Sequence, residues 1–129
     1  MSEQITEFTI DIPDADIEDL KRRLALTRWP DQIPGTGWRY GANTDYIRTL
    51  CDYWRDEYDW RKHEARLNSF PQFKTALAGM DIHFVHARSQ HADATRLLIS
   101  HGWPGTVVEF LHVIDPLVNP EAGHGGNIC

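Results

Sequence analysis

The chain has 129 residues, of which 41% are hydrophobic and 11% aromatic, a length and composition suited to one domain with a buried core. Thirteen basic and nineteen acidic residues give a formal net charge of −6 without a basic cluster, which argues against nucleic acid or an anionic membrane as partner. The N-terminus lacks the charged and apolar regions of a secretory signal, and no stretch approaches the length of a membrane span. We therefore expect a cytosolic protein.

A short extended segment and a helix are the first predicted elements. Residues 8–12 alternate apolar and polar side chains with period two, which predicts a short extended segment and not a helix. Apolar residues then recur at helical spacing, with acids before them and bases after them, an order that suits the helix dipole. These patterns predict a helix over about residues 15–27, capped by Asp14 or Asp16.

An irregular loop and two more helices follow. Trp29-Pro30 ends the first helix, because a residue before proline is pushed out of the helical region. The loop contains two tryptophans, which must pack against the chain's own helices or against a neighbouring domain. Asn43 or Thr44 is expected to cap a second helix that extends to about Tyr58, and a third helix is predicted over about residues 60–68.

A strand pair is predicted after the helices. Gln72 to Leu77 and Asp81 to His86 have strand-like sequences on either side of Gly79, as in a hairpin. His83 and His86 are three residues apart in the second strand and therefore face opposite sides of it, which disfavours a shared metal ion. We predict no metal site and no cofactor.

The last predicted elements are a third strand and a fourth helix. Residues 96–100 are continuously apolar at their centre, as in a sheet that is covered on both faces. Residues 107–114 are predicted to form a helix that Pro116 ends. The expected fold class is therefore α/β and incomplete: a helical arm over residues 1–70, then over residues 71–129 the start of a sheet that usually needs more strands.

A turn between the predicted third strand and fourth helix is the main candidate functional feature. It has the sequence His101-Gly102-Trp103-Pro104-Gly105. A buried strand that ends in such a turn leaves backbone N–H groups unpaired, where they can bind an oxygen that gains negative charge during a reaction. Enzymes with the α/β-hydrolase fold build half of an oxyanion hole at this place. For His101, a structural role that holds the loop is favoured over a role as catalytic base.

No nucleophile is predicted within the 129 residues. Ser69 and Ser100 lie outside any Gly-x-Ser-x-Gly elbow. Cys51 and Cys129 are far apart in sequence and are expected to be free thiols, Cys51 as a small buried residue. The acids of residues 11–19 are interpreted as a helix cap and a solvated helix face.

Aromatic and proline-centred motifs recur along most of the chain. In order they are Leu20-Lys21-Arg22-Arg23-Leu24, Thr27-Arg28-Trp29-Pro30-Asp31, Gly37-Trp38-Arg39-Tyr40-Gly41, Tyr53-Trp54-Arg55, Asp59-Trp60-Arg61, Leu67-Asn68-Ser69-Phe70-Pro71-Gln72-Phe73, Ile82-His83-Phe84-Val85-His86 and His101-Gly102-Trp103-Pro104-Gly105. In order and approximate spacing this set resembles the N-terminal portion of epoxide hydrolases of the microsomal type, which bacteria contain as soluble enzymes. The resemblance covers residues 8 to about 119.

The resemblance implies an arm that wraps a hydrolase domain, followed by the first strands and first helix of that domain. In the family, an aspartate attacks an epoxide carbon, a histidine-activated water hydrolyses the resulting ester, and lid tyrosines protonate the opening epoxide. The oxyanion donor from this region is the backbone N–H of the residue that is Trp103 here, with His101, Gly102, Pro104 and Gly105 shaping the loop. The resemblance also implies a cis Trp103-Pro104 peptide bond.

Four tryptophans of the arm have two interpretations. Trp29, Trp38, Trp54 and Trp60 could line a groove for an apolar ligand. They could instead dock the arm on the hydrolase body, and the helical spacing of Trp54 favours docking. For Trp103, the resemblance implies that the backbone N–H is the functional group. Its side chain either contacts substrate or packs against the protein.

The resemblance predicts the N-terminal part of an enzyme that adds water to small lipophilic epoxides. Residues 121–126 still resemble the family's next loop, but the nucleophile, acid, general base and lid tyrosines are missing, so we expect no activity from this chain alone. Two alternatives stay open. One is another α/β-hydrolase, an esterase or dehalogenase, and the other is a non-catalytic module that assembles with a separately encoded catalytic half. A homo-oligomer is a further possible assembly.

Overall fold

The computed structural model describes residues 4–121. In chain order its elements are β1 (Thr6–Glu7), α1 (Asp14–Ala25), α2 (Thr44–Asp56), α3 (Trp60–Asn68), β2 (Gln72–Leu77), β3 (Met80–Val85), a 3₁₀ helix (Val107–Phe110) and α4 (Ile114–Val118). The predicted order of elements, helices followed by a strand pair, is confirmed. None of the helices in this range is long and apolar enough to cross a membrane.

The chain divides into two compact units. The helical unit is Asp11–His63, and the sheet unit combines Met1–Ile10 with Glu64–Cys129. In the described residues, Leu111 is the one hydrophobic side chain that is buried, whereas 21 large hydrophobic side chains are exposed. Each unit therefore presents apolar side chains that it does not cover itself.

The start of α1 differs from the prediction. Pro13 is the N-cap residue, and no side chain caps the helix, so the expected cap by Asp14 or Asp16 is wrong. The Pro13 carbonyl accepts the Asp16 N–H at 3.0 Å, which places both acids inside the first turn. There their charge still interacts favourably with the helix dipole. Further along α1, hydrogen bonds from Arg22 and then Arg23 lower the pKa of Asp19.

The start of α2 agrees with the prediction. The Asn43 side-chain oxygen accepts the Tyr46 N–H at 3.0 Å, which satisfies one of the unpaired amides of the first turn. The helix ends at Asp56, two residues before the expected Tyr58, because the Glu57 and Tyr58 amides both bond to one carbonyl. The helix α3 has the predicted bounds.

The loop between α1 and α2 is fixed by side chains of the helical unit. Gln32 donates to the Gly37 carbonyl at 2.7 Å and accepts the Thr44 N–H at 2.8 Å. The Arg48 guanidinium lies 5.5 Å from the centre of the Trp29 ring, within cation–π distance. Part of the loop therefore packs against α2.

The sheet unit contains an antiparallel sheet in the order β1-β2-β3. Residues 8–12 are non-helical, as predicted, and β1 is the two-residue strand just before them, Thr6–Glu7. After β1, the Ile10 N–H and carbonyl bond to the Asn68 side chain at 2.9 and 2.8 Å. An amide side chain therefore takes the place of a neighbouring strand and ends the ladder.

A two-residue loop connects β2 and β3. Ala78 and Gly79 both have positive φ, 50° and 81°, the geometry of a type I′ hairpin turn. This tight turn starts β3 at Met80, one residue before the predicted start. Phe73 pairs with Phe84 across the strands, with ring centres 5.7 Å apart, so the predicted hairpin is confirmed.

The predicted third strand is wrong. Residues 96–100 form neither strand nor helix, and the Leu98 side chain is 95% exposed. A strand exists only through hydrogen bonds to a neighbour, and no strand in residues 4–121 pairs with this segment. A continuous apolar run is typical of a strand covered on both faces, but without a paired neighbour this segment forms none.

The predicted helix over residues 107–114 is also wrong. The segment forms the short 3₁₀ helix, and α4 begins at Ile114. Pro116 lies in the first turn of α4 instead of ending a helix. A proline is tolerated there because the amide at that position has no partner within the helix.

The hairpin turn yields a stability prediction. Gly79 has open space where a Cβ would lie, so Gly79→Ala carries only the conformational cost of a positive φ. We expect it to lower the free energy of unfolding by about 1 kcal/mol, and Ala78→Asn to raise it by about 0.5 kcal/mol. Urea unfolding followed by circular dichroism measures both changes. Equal stability of the two variants would contradict the turn assignment.

His83 yields a pH prediction. Its Nε2 lies 2.9 Å from Gln72 Oε1, and burial, followed by the charge of Lys74, lowers the pKa of His83 below its usual 6.5. Folding therefore favours the neutral ring, so its contribution to stability is complete above pH 6.5 and is lost as the pH falls below 6.5. We expect His83→Asn to reduce the loss of unfolding free energy between pH 7 and 5, and Lys74→Met to reduce it partly. Unchanged slopes in both variants would refute this.

Candidate functional site

The candidate site is a tight turn in the sheet unit. The Gly105 N–H donates to the Gly102 carbonyl at 2.7 Å and closes a four-residue turn around Trp103 and Pro104. The Trp103-Pro104 peptide bond is cis, as the resemblance implied. A cis proline at the third position defines a type VI turn.

The Gly102 carbonyl is held from two sides. Besides the Gly105 amide, His101 Nδ1 lies 3.0 Å from it. A carbonyl oxygen only accepts, so Nδ1 carries the proton in this contact. His101 therefore binds the backbone of its own turn, the geometry that a loop-holding role requires.

Gly105 occupies a position with no room for a side chain. A Cβ placed there would lie 2.8 Å from the Gly102 carbonyl oxygen and would overlap the Glu109 carboxylate. The backbone of Gly102 and Gly105 can therefore approach closely only because Gly105 is glycine. The contact with Glu109 was not anticipated from sequence, because it depends on the 3₁₀ geometry of Val107–Phe110.

The Trp103 amide is available for an external acceptor. Among residues 4–121, neither the Gly102 N–H nor the Trp103 N–H donates to a protein acceptor. Pro104 has no N–H, and the Gly105 N–H is used to close the turn. Trp103 is 98% exposed. The turn thus combines a fixed backbone with adjacent unpaired donors, an arrangement able to bind an anionic oxygen.

The turn is followed by a capped helical segment. Thr106 is the N-cap of the 3₁₀ helix, and its Oγ1 accepts the Val108 N–H at 3.2 Å. The Leu111 N–H bonds to the Val108 carbonyl at 3.3 Å, and Leu111 itself is buried. The C-terminal side of the turn is therefore anchored by local hydrogen bonds and by one packed side chain.

Other residues considered from sequence do not form a second reactive cluster in the described part of the chain. His83 and His86 face opposite sides of β3, since His83 reaches Gln72 while His86 lies against Phe73. No group of three potential metal ligands occurs in residues 4–121. Cys51 is partly exposed in α2, and Cys129 lies outside the described residues, as does most of the 121–126 loop.

The two serines make local contacts. Ser69 Oγ donates to the Arg66 carbonyl at 2.7 Å, one turn earlier in α3. Ser100 Oγ lies 3.4 Å from the His101 carbonyl. Neither hydroxyl has a histidine side chain as its hydrogen-bond partner, so neither has the geometry of an activated nucleophile.

The helical unit contains an apolar groove of about 600 Å³. It is lined by Ile12, Asp16, Ile17, Leu20, Lys21, Leu50, Tyr53, Trp54, Tyr58 and Trp60. Trp54 and Trp60 thus share a surface, whereas Trp29 and Trp38 lie elsewhere, Trp38 with its ring 5.2 Å from that of Tyr46. The apolar pattern of the sequence did not indicate Tyr53 as part of this surface, because Tyr53 lies one position away from the helical stripe that includes Leu50 and Trp54.

Comparisons with known proteins assign a family. Residues 5–110 match the family described as "Epoxide hydrolase N terminus". The chain is 49% identical over 122 residues to "Putative epoxide hydrolase" of Stigmatella aurantiaca, covering 95% of this chain and 28% of that protein. It is 41% identical to "Juvenile hormone epoxide hydrolase 1" of Ctenocephalides felis, covering 93% and 26%.

The structural comparison agrees. The epoxide hydrolase of Aspergillus niger superposes with a TM-score of 0.77 at 38% identity, covering 87% of this chain and 29% of that one. The chain therefore spans less than a third of the length of the relatives that it matches. The match lies in the N-terminal region of an α/β-hydrolase enzyme, as the incomplete α/β fold predicted. The chain belongs to the epoxide hydrolase N-terminus family.

Proposed function

We propose that this chain is the N-terminal part of an epoxide hydrolase and that the Trp103 N–H is one donor of its oxyanion hole. The observation that carries the proposal is the unpaired Trp103 amide in a turn fixed by two contacts to the Gly102 carbonyl. Family membership supports the reaction class. The resemblance to esterases and dehalogenases is limited to the turn, whereas the family match extends over residues 5–110.

The proposed chemistry has two steps. A carboxylate supplied outside this chain attacks an epoxide carbon, the carbon–oxygen bond breaks, the released oxygen takes a proton from an acid, and a hydroxyalkyl ester forms. Water then attacks the ester carbonyl, whose oxygen becomes an oxyanion before the carboxylate is regenerated and the diol leaves. The Trp103 N–H donates to this oxygen in the second step. A fixed backbone dipole is effective here because it requires little reorganisation when the charge develops.

His101 and Gly105 are positioning residues in this proposal. His101 holds the Gly102 carbonyl from one side, and the Gly105 amide holds it from the other. Together they set the direction of the adjacent Gly102–Trp103 peptide. An error of about 1 Å in such a donor reduces a rate by about 10²-fold, so the turn must be rigid to be useful.

The proposed substrate class is a small lipophilic epoxide. Trp103 contributes both a donor and an exposed indole at the same position, so a bound epoxide could contact apolar surface beside the reacting oxygen. The names of the relatives refer to epoxide hydrolysis, and one refers to juvenile hormone. The reaction class, not the particular substrate of that relative, is proposed for this chain.

The first prediction concerns the isolated chain. Its residues contain no nucleophile elbow, so we expect purified protein to convert no styrene oxide to diol above the buffer rate. Chiral gas chromatography measures the diol, with the Aspergillus niger enzyme as the positive control. Turnover by this chain alone would contradict the proposal that the nucleophile is supplied outside this chain.

The second prediction uses a chimera in which this chain replaces the matching segment of the Aspergillus niger enzyme. Trp103→Pro removes the N–H, and we expect it to slow ester hydrolysis by about 10²- to 10³-fold, so that the covalent ester accumulates. Trp103→Ala keeps the N–H and is the matched control, with a change mainly in KM. Mass spectrometry of the ester and single-turnover kinetics measure the two steps.

A third variant separates loss of the donor from a change of side chain. Gly105→Ala forces the Gly102 carbonyl away and displaces the turn while keeping Trp103. We expect kcat to fall and KM to change little. Unchanged ester hydrolysis in both Trp103→Pro and Gly105→Ala would contradict the assignment of the oxyanion donor.

A further inference from the structure

We propose that residues 6–10, here called the latch segment, are held on the β2–β3 hairpin by a pH-sensitive contact and detach from it when His83 takes up a proton. The proposal concerns the sheet unit and does not depend on the turn at Trp103. It rests on a chain of hydrogen bonds between the latch segment and His83, and on the contact of the Phe8 and His83 rings.

The hydrogen bonds run from Ile10 through two amide side chains to His83. The Ile10 N–H donates to Asn68 Oδ1 at 2.9 Å and the Ile10 carbonyl accepts Asn68 Nδ2 at 2.8 Å, which fixes the orientation of the Asn68 amide. Asn68 Oδ1 also accepts Gln72 Nε2 at 3.0 Å, so Gln72 presents its oxygen to His83 Nε2 at 2.9 Å. Because that oxygen only accepts, Nε2 carries the proton of the neutral ring.

Phe8 contacts two side chains that lie opposite each other in the hairpin. The Phe8 and His83 ring centres are 5.2 Å apart in an edge-to-face arrangement. Lys74 Nζ lies 3.8 Å from the centre of the Phe8 ring, within cation–π distance. Lys74 and His83 are register partners in β2 and β3. With His83 neutral, this group of three side chains contains one positive charge.

A proton on His83 adds a second positive charge to the group. Like charges directly opposite each other in antiparallel strands are destabilising. The charged ring is also partly removed from water beneath Phe8, which disfavours the charge further. The lowered pKa of His83, caused first by burial and then by the charge of Lys74, agrees with this geometry. Protonation therefore favours any movement that returns both side chains to water.

The neighbouring strands and helix provide little compensating negative charge. Asp81 lies two residues before His83 on the same face of β3, but it is exposed. Glu7 directly precedes Phe8 in an extended segment, so its side chain faces the other side of the sheet. The contact from α3 is the uncharged Asn68.

The latch segment is the part of the sheet that detaches most easily. Strand β1 pairs with β2 at two positions, whereas β2 and β3 pair at six. The Phe8 N–H adds one bond, to the Gln72 carbonyl at 2.9 Å. Local opening occurs where few contacts must break. Detachment of Phe8 uncovers Lys74 and His83 while the hairpin remains paired.

The experiment measures amide hydrogen exchange of the full chain by NMR at pH 7 and pH 5. The Phe8 and Ile10 amides, here called the latch amides, report on the latch segment, and the β2–β3 ladder amides report on the hairpin. Protection factors remove the direct effect of pH on the exchange rate. We expect protection of the latch amides to fall several-fold, with a limit of about 25-fold set by the ordinary pKa of 6.5 in the detached state, and hairpin protection to fall less.

Two histidine variants test the origin of the effect. His83→Asn keeps a side-chain donor and takes up no proton, so protection of the latch amides should not fall between pH 7 and pH 5. His86→Asn is the matched control, because His86 lies on the opposite side of the same strand, against Phe73. It should behave like the unmodified chain. Circular dichroism checks that both variants are folded.

The coupling must also act in the reverse direction. If a proton on His83 weakens the attachment of Phe8, removal of the Phe8 ring must raise the pKa of His83 towards 6.5. An NMR titration of the His83 ring protons in Phe8→Ala and in the unmodified chain measures this change. The titration decides the question even where His83→Asn does not fold.

Three results would each overturn the proposal. They are an equal loss of protection in the latch amides and the hairpin, a fall of latch protection with pH that persists in His83→Asn, and an unchanged His83 pKa in Phe8→Ala. The assignment of the Trp103 N–H as oxyanion donor is tested separately, by ester hydrolysis in the chimera.

Discussion

In residues 4–121, exposed large apolar side chains far outnumber the buried ones. The sheet has three strands, one of them two residues long, and the helical unit packs α1 against α2 with one face of the pair uncovered. Burial of apolar surface is the main favourable contribution to the free energy of folding. The uncovered faces do not make that contribution. In residues 4–121, both the groove and the apolar segment at residues 96–100 belong to this exposed apolar surface.

Local interactions nevertheless determine much of the structure. The hairpin, the Asn43 cap and the Gln32 contacts involve residues that are near in sequence or directly paired, and each forms without a distant partner. The same holds for the turn at Trp103, where both contacts to the Gly102 carbonyl come from within three residues. The geometry of this turn therefore does not depend on the sheet, which is what the proposed role as oxyanion donor requires.

Elements that depend on local interactions were predicted correctly from the sequence, whereas elements that depend on distant contacts were not. The bounds of α3, the pairing of β2 with β3 and the Asn43 cap were predicted correctly, because periodicity, composition and capping chemistry act over a few residues. The strand at residues 96–100 was wrong because a continuous apolar run indicates burial, whereas a strand also requires a hydrogen-bonded neighbour, and this segment has none within residues 4–121. The cap of α1 was wrong because Pro13, which has no capping side chain, is the N-cap residue and both acids lie inside the first turn. In the candidate site, the turn itself was predictable from its five residues, but the close approach of Glu109 to Gly105 was not.

The turn at residues 101–105 is fixed by local hydrogen bonds, whereas residues 96–100 before it pair with no strand in residues 4–121. Residues 96–100 lead directly into His101, so their pairing in a larger sheet would decide where the Trp103 amide lies relative to a nucleophile. Within the turn, His101 and Gly105 hold the Gly102 carbonyl and so set the direction of the Trp103 N–H. Electrostatic stabilisation requires both, because a donor of correct direction contributes little when it is displaced by an ångström or more. In the proposed role of Trp103, the turn supplies the direction of the donor, and the backbone before His101 sets its distance from the reacting oxygen.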